Sequence, residues 1–204
     1  MTTVSIVYHS GYGHTRKLAE SVLDGIHQSP GVSATLFAID ANGDLPDEAW
    51  SALASSDAIV FGSPTYMGTV SWQFKKFVDA TSKPWYAQAW KDKLFAGFTN
   101  SASMNGDKFN TIHTMMTLAM QHSGFWVGTG LMPSNRKSAT RDDVNYLGSF
   151  SGLLGQSPSD ASPDEGPPAG DLATGRLFGA RIAEAAMRFA TTATTATTAI
   201  DAIE

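Results

Sequence analysis

Six consecutive residues, Ser10-Gly11-Tyr12-Gly13-His14-Thr15, combine two glycines with two aliphatic hydroxyl side chains. Glycine lets a chain turn sharply and expose successive backbone N–H groups, and a nest of such groups binds phosphate. Ser10 and Thr15 add hydroxyl donors. A helix starting here would add the partial positive charge of its N-terminus. The same hexapeptide also reads as an ordinary turn with Thr15 as a helix cap, so it does not choose alone. Two further small, polar, glycine-bearing stretches follow: Gly62-Ser63-Pro64-Thr65-Tyr66-Met67-Gly68 and Thr99-Asn100-Ser101-Ala102-Ser103-Met104-Asn105-Gly106. Each offers peptide groups to a flat polar ring, and Tyr66 adds an aromatic. Together the three point to a phosphorylated aromatic ligand.

Other phosphate and hydrolytic chemistries fit less well. A dinucleotide fingerprint G-x-G-x-x-G would need glycine where Arg16 stands, although Asp40 ends the next apolar run as a ribose-binding acid would. The nucleotide-triphosphatase pattern G-x-x-x-x-G-K-[ST] and the hydrolase pattern G-x-S-x-G are both absent. His9 and His14 have no second ligand at metal spacing, so no metal site is expected. Asp142-Asp143 reads as loop solvation. Trp85 has a ring that stacks on flat ligands or packs at an interface, whereas Trp90 reads as packing. His122 reads as a helix-end residue or as part of a site.

These residues need a scaffold, and the hydrophobic pattern supplies one. Val4–Tyr8, Val32–Ile39, Asp57–Gly62, Lys93–Thr99 and a run beginning at Phe125–Val127 are short and apolar, as strands buried on both faces are. Between them lie amphipathic segments. Leu18, Val22 and Ile26 mark one face of a helix over 13–29 that Pro30-Gly31 stops. Further helices are expected over 47–55, 70–80 and 109–123. The alternating order predicts a doubly wound parallel sheet between helices, with all three loops at the carboxyl ends of its strands, where ligands bind. Residues 132–169 are rich in Ser, Pro, Gly and Asp. That is too long for an idle connector, so 133–168 is placed near the site mouth, with Asn145, Tyr146, Ser149, Arg136, Lys137 and Arg141 as candidate ligand contacts. Leu172–Phe189 reads as a closing helix. Residues 1–190 form one domain, and 191–204 are a Thr/Ala low-complexity tail.

Composition narrows the class further. The chain has 204 residues, enough for one stable core. No cysteine occurs, which removes disulfides, iron–sulfur clusters and thiol catalysis. Lys and Arg number 14 against 19 Asp and Glu, a net charge of -5, so nucleic acid is not an expected partner. No apolar stretch approaches the ~18 residues of a membrane span. With no leader pattern visible, a cytoplasmic protein is expected. Only 16% of residues are charged, below the roughly 25% usual for soluble domains, which favours buried subunit contacts.

The three loops also carry a resemblance. Residues 10–15 and 62–68, the stretch Phe74-Lys75-Lys76-Phe77-Val78-Asp79, Trp85, and Lys93-Leu94-Phe95-Ala96 resemble the flavodoxin-like FMN family, in its NAD(P)H:quinone oxidoreductase (Trp-repressor-binding-protein-like) branch. The resemblance covers about residues 3–190. It implies a three-layer α/β/α sandwich around a five-stranded parallel sheet. Ser10, Gly11, Tyr12, Gly13, His14 and Thr15 would hold the FMN phosphate, with Tyr12 also helping to hold the nicotinamide nucleotide. Pro64, Thr65, Tyr66, Met67 and Gly68, with Ser101, Ala102, Ser103, Met104, Asn105 and Gly106, would hold the flavin ring. Trp85 and His122 would stand near the flavin face. The activity implied is electron transfer from NAD(P)H to a quinone-like acceptor by a ping-pong route, in a homodimer or homotetramer. An FMN electron carrier acting with protein partners, a dinucleotide binder using Asp40 and a flavin-less scaffold are the alternatives. Ala102, Met104 and Asn105 depart from the more glycine-rich third loop of the family.

Overall fold

Side chains along the first strand alternate between two apolar cores. In β1 (Thr2–His9), Val4, Ile6 and Tyr8 enter one core and Val7 the other. In β3 (Ala58–Tyr66), Ala58 and Val60 enter the first core, and Ile59 and Phe61 the second. Strands buried on both faces must lie inside a sheet covered twice. The computed structural model describes residues 1–201, with side chains through Ala190, and shows that arrangement. With β2 (Val32–Ile39), β5 (Leu94–Ser101) and β6 (Phe125–Trp126), these strands form a parallel sheet in the order β2-β1-β3-β5-β6. This is the doubly wound 2-1-3-4-5 order of flavodoxin-like folds.

Helices cover both faces. Helix α1 (His14–His27) brings Leu18, Val22 and Ile26 to the first core, where α6 (Ala169–Asp201) adds Phe178 and Ile182. On the opposite face, α2 (Asp47–Ser55) supplies Leu53, α3 (Trp72–Ala80) supplies Phe74 and Phe77, and α5 (Lys108–Gln121) supplies Ile112 and Met115. Trp90 is buried there among Phe77, Phe95 and His122. Helix α3 starts at Trp72 rather than Val70 because Ser71 caps it, its hydroxyl accepting from Phe74 N at 3.3 Å.

Three elements go beyond the sequence reading. Met67 and Gly68, both at positive φ, turn the chain between β3 and a two-residue antiparallel strand, β4 (Thr69–Val70); two such residues make the primed turn that suits a hairpin. A short helix, α4 (Ser82–Tyr86), follows α3. The third element is β7 (Leu153–Gln156), which runs parallel to Phe98–Ser101 of β5. The edge strand begun by β6 therefore stops after two residues, and β7 supplies its upper half. Residues 127–152 are an insertion within that strand, and 133–168 is therefore divided by a strand rather than being one long loop. The stretch from 191 continues α6 as far as Asp201, while residues 202–204 of the expected tail lie outside the described residues. No helix among the described residues is long and apolar enough to cross a membrane.

Candidate functional site

The carboxyl ends of β1, β3 and β5 open onto one cavity of about 610 Å³, within the range of small-molecule and cofactor sites. Tyr12, His14 and Thr15 line one end, Pro64, Thr65 and Tyr66 a side, and Asn100, Ser101 and Ala102 another. None of the lining residues is acidic, so a phosphorylated ligand meets no like charge at the wall.

Backbone geometry makes the first loop a cradle. Gly13 lies at φ +91, a left-handed conformation that favours glycine, and ends the turn into α1. A Cβ on Gly13 would stand 2.5 Å from Pro163 Cγ, and one on Gly11 would stand 2.4 Å from the Tyr66 hydroxyl. A side chain at either place would strike the facing wall, so the loop can lie this close to Pro163 and Tyr66 only with glycine at both positions. Ser10 Oγ accepts from Gly13 N at 3.1 Å and Arg16 N at 3.2 Å, fixing the loop's curvature. Thr15 is buried in the first turn of α1, with its side chain on the cavity. These features fit an anion at the helix N-terminus.

Tyr66 meets Tyr12 edge to face, with ring centroids 6.2 Å apart. Behind it, the Thr65 hydroxyl bonds those of Thr99 at 2.8 Å and Thr111 at 2.7 Å, tying β3, β5 and α5 beneath the cavity floor. Met67 is fully exposed at the hairpin tip beside Gly68. In the third loop Ser101 and Ala102 reach the cavity, while Ser103, Met104 and Asn105 form an exposed rim. Gly106, at φ +54, closes against Ser101 Oγ.

The fourth wall was only partly foreseen. Ser157, Pro158, Ser159, Ala161 and Pro163 complete the cavity. They stand there because β7 delivers the chain to the ligand edge and short contacts hold it over α1: His14 Nε2 meets the Ala161 carbonyl at 3.0 Å, and Lys17 pairs with Asp164 at 3.1 Å. Asn100 accepts from Ser157 Oγ at 3.2 Å. The placement of 133–168 near the mouth thus holds for its last third. The contacts expected of its first part do not. Asn145 is buried and bridges the carbonyls of Leu131 and Ser149, Ser149 Oγ donates to the Gly152 carbonyl, and Arg141 pairs with Asp171 at 2.7 Å under the Tyr146 ring. Arg136 lines a separate hollow within the insertion itself, and Lys137 is exposed. No signal in the sequence marks Ser157–Pro163 as a wall, since that position depends on the strand pairing of β7.

Trp85 and His122 are brought together, but away from these loops. They line a second hollow with Tyr86, Gln88, Gln121 and Ser123. Asp92 N donates to the Ser123 carbonyl, which puts this hollow at the start of β5. The third loop leaves the far end of β5, about 23 Å away at roughly 3.3 Å per residue. Within one chain, Trp85 and His122 therefore do not flank the cavity. Helices α3 and α5 run back along the sheet, so residues at their C-terminal ends arrive at the opposite edge. The Thr81 hydroxyl donates to the Val78 carbonyl at 2.7 Å, so in its 3.0 Å contact with His122 Nε2 it accepts and the proton is on Nε2. His122 Nδ1 has no partner among the described residues. Burial pushes the His122 pKa down to about 4 and also lowers that of His9.

A buried neutral histidine makes stability depend on pH. The unfolded chain takes up a proton near pH 6.5, but folded His122 resists until about pH 4. The unfolded state therefore binds more protons inside that window. Stability is full above pH 6.5 and falls as pH drops toward 4, by up to about 3 kcal/mol. His122→Gln keeps a donor for Thr81 and should flatten this acid limb in urea titrations at pH 7 and pH 4.5. An unchanged slope would rule out His122 as its source.

Comparison with known proteins agrees with this geometry. Residues 8–136 match the family described as NADPH-dependent FMN reductase. The chain is 49% identical over 183 residues to "Flavodoxin FldP" of Pseudomonas aeruginosa, covering 90% of this chain and 96% of that protein. It is 31% identical over 209 residues to an "NAD(P)H dehydrogenase (quinone)" of Geobacter sulfurreducens, covering 91% and 98%. A solved structure titled as the flavodoxin, WrbA-like protein from Agrobacterium tumefaciens superposes with a TM-score of 0.75 at 46% identity, covering 93% of this chain and 99% of that one.

Proposed function

Because the chain belongs to the NADPH-dependent FMN reductase family, among flavodoxin-like NAD(P)H:quinone oxidoreductases, we propose that it holds FMN in the 610 Å³ cavity and passes electrons from NAD(P)H to a quinone-like acceptor. The observation that carries this reading is the first loop at the α1 N-terminus: two glycines packed where a Cβ would strike Pro163 or Tyr66, the Thr15 hydroxyl on the cavity, and a cavity wall without acids. Residues 10–15 take the phosphate. Pro64, Thr65 and Tyr66, with Ser101 and Ala102, hold the ring. Bound FMN supplies hydride and electron chemistry, and the protein supplies binding, orientation and exclusion of water. No lining side chain is a strong acid or base, which suits chemistry carried by the cofactor. A single mouth used in turn by donor and acceptor gives ping-pong kinetics.

Trp85 and His122 join this scheme through a second copy of the chain. Trp72, Trp85 and Tyr86 are 60%, 49% and 86% exposed, which favours a dimer or tetramer that covers them. Light scattering should give a multiple of the 21.7 kDa chain; a monomer at micromolar concentration would remove both residues from the site.

A second reading, an FMN electron carrier, draws support from the 49% identical relative named a flavodoxin. Steady-state assay separates the two. An enzyme loaded with FMN consumes NAD(P)H with benzoquinone as acceptor, needs no partner protein, and gives parallel double-reciprocal lines. A carrier binds FMN but shows negligible NAD(P)H oxidation, and that result would replace the enzyme reading.

A further inference from the structure

Lys108 is fully buried at the first position of α5. Lysine is almost never fully buried without partners. Here the partners are carbonyls of the third loop: Nζ donates to Ser103 O through a short contact and to Met104 O at 2.9 Å. The neighbouring carbonyls have donors as well. Gln156 Nε2 donates to Ala102 O at 2.7 Å, Ser101 Oγ donates to Ser103 O at 3.2 Å, and Lys108 N donates to Asn105 O at 3.1 Å. Four consecutive carbonyls, of residues 102–105, thus each accept from a donor within the chain.

A trans peptide is planar, with its N–H opposed to its C=O. The amides of Ser103, Met104, Asn105 and Gly106 therefore face away from the donors that hold those carbonyls. The resulting row of N–H groups starts where Ser101 and Ala102 line the cavity and continues along its exposed rim. Behind it stands a buried ammonium. Burial lowers the Lys108 pKa to about 8, an effect that Asp171 opposes and Arg141 reinforces, so the group is mostly charged at neutral pH.

We propose that Lys108 and Gln156 are positioning residues that hold the third loop with its amides outward, and that this row, backed by the Lys108 charge, favours the reduced, anionic flavin over the oxidised one. The inference rests on the FMN reading above. Fixed donors and a charge behind them stabilise negative charge as it develops, without reorganisation. The phosphate cradle lies on a different loop and serves both redox states alike, so loss of Lys108 should weaken reduced FMN more than oxidised FMN.

The test is the two-electron midpoint potential of bound FMN, with dissociation constants for oxidised FMN. Wild-type protein is titrated with FMN first. Absence of binding at this step overturns the function reading itself, and this inference with it. Given binding, Lys108→Met should weaken reduced FMN about tenfold more than it weakens oxidised FMN, a potential about 30 mV more negative. Gln156→Leu leaves the charge in place and frees only the Ala102 carbonyl. It should move the potential the same way by less. Should Lys108→Met fail to fold, Gln156→Leu decides alone, because Gln156 is half-exposed. Unchanged potentials in the folded, FMN-bound variants would overturn the proposal.

Discussion

Gly13→Val should abolish FMN retention, weakening affinity by at least about 100-fold, or about 2.7 kcal/mol. Two independent obstacles meet at this residue. Its φ of +91 is a conformation that a β-branched residue resists. Its added carbons would also enter the space beside Pro163, where even a Cβ stands 2.5 Å from Cγ. The loop must then unwind from the α1 N-terminus, or the 157–163 wall must lift, and either move opens the phosphate end. The fold should survive, because Gly11 and Tyr12 are exposed and the two cores lie below the loop. In wild type, FMN at 100 times its Kd should add about 2.7 kcal/mol of stability. For a chain of this size that raises Tm by roughly 5–10 °C. Gly13→Val should show neither this rise nor quenching of flavin fluorescence. Tight FMN binding by the variant would move the phosphate to another part of the chain.

Gly179→Val should destabilise the whole fold by about 3 kcal/mol, the upper end for overpacking, and lower Tm by roughly 6–12 °C. Helices α1 and α6 cross backbone to backbone. A Cβ on Gly179 would lie 2.0 Å from the Val22 carbonyl oxygen, and one on Gly25 would lie 1.9 Å from that of Arg176. Backbone cannot rotate aside as a side chain can, so the helices must separate and pull Phe178 and Ile182 from the first core. Gly25→Val should cost a similar amount. Because the two sites share one contact, the double variant should cost less than the sum. Urea denaturation measures all three. A loss under 1 kcal/mol for Gly179→Val would mean that the crossing is looser than the structure has it. Function would suffer too, since α6 carries Asp171, which accepts from Gln156 N at 2.9 Å and pairs with Arg141.

The sheet and the loops at the carboxyl ends of its strands were legible in the residue pattern alone. Strands such as Ala58–Phe61, buried on both faces, have one physical solution, a sheet between two helical layers. Local chemistry marks the loops equally well: Gly11 and Gly13 permit a turn closed to other residues, and Leu18, Val22 and Ile26 fix the helix after it. Whatever depends on pairing over long distances emerged only in the fold. Leu153–Gln156 is too short to declare itself a strand among serines and glycines, and it becomes one only by hydrogen bonding to Phe98–Ser101. That pairing carries Ser157–Pro163 over the cradle and Gln156 under the third loop. It likewise took the fold to separate Trp85 and His122 from the loops. Their residue types suit a flavin site, but helices that run back along a parallel sheet deliver their C-terminal ends to the opposite edge. Lys108 was illegible for a related reason: a lone lysine at a helix start reads as solvated until the carbonyls of Ser103 and Met104 are seen to close over it.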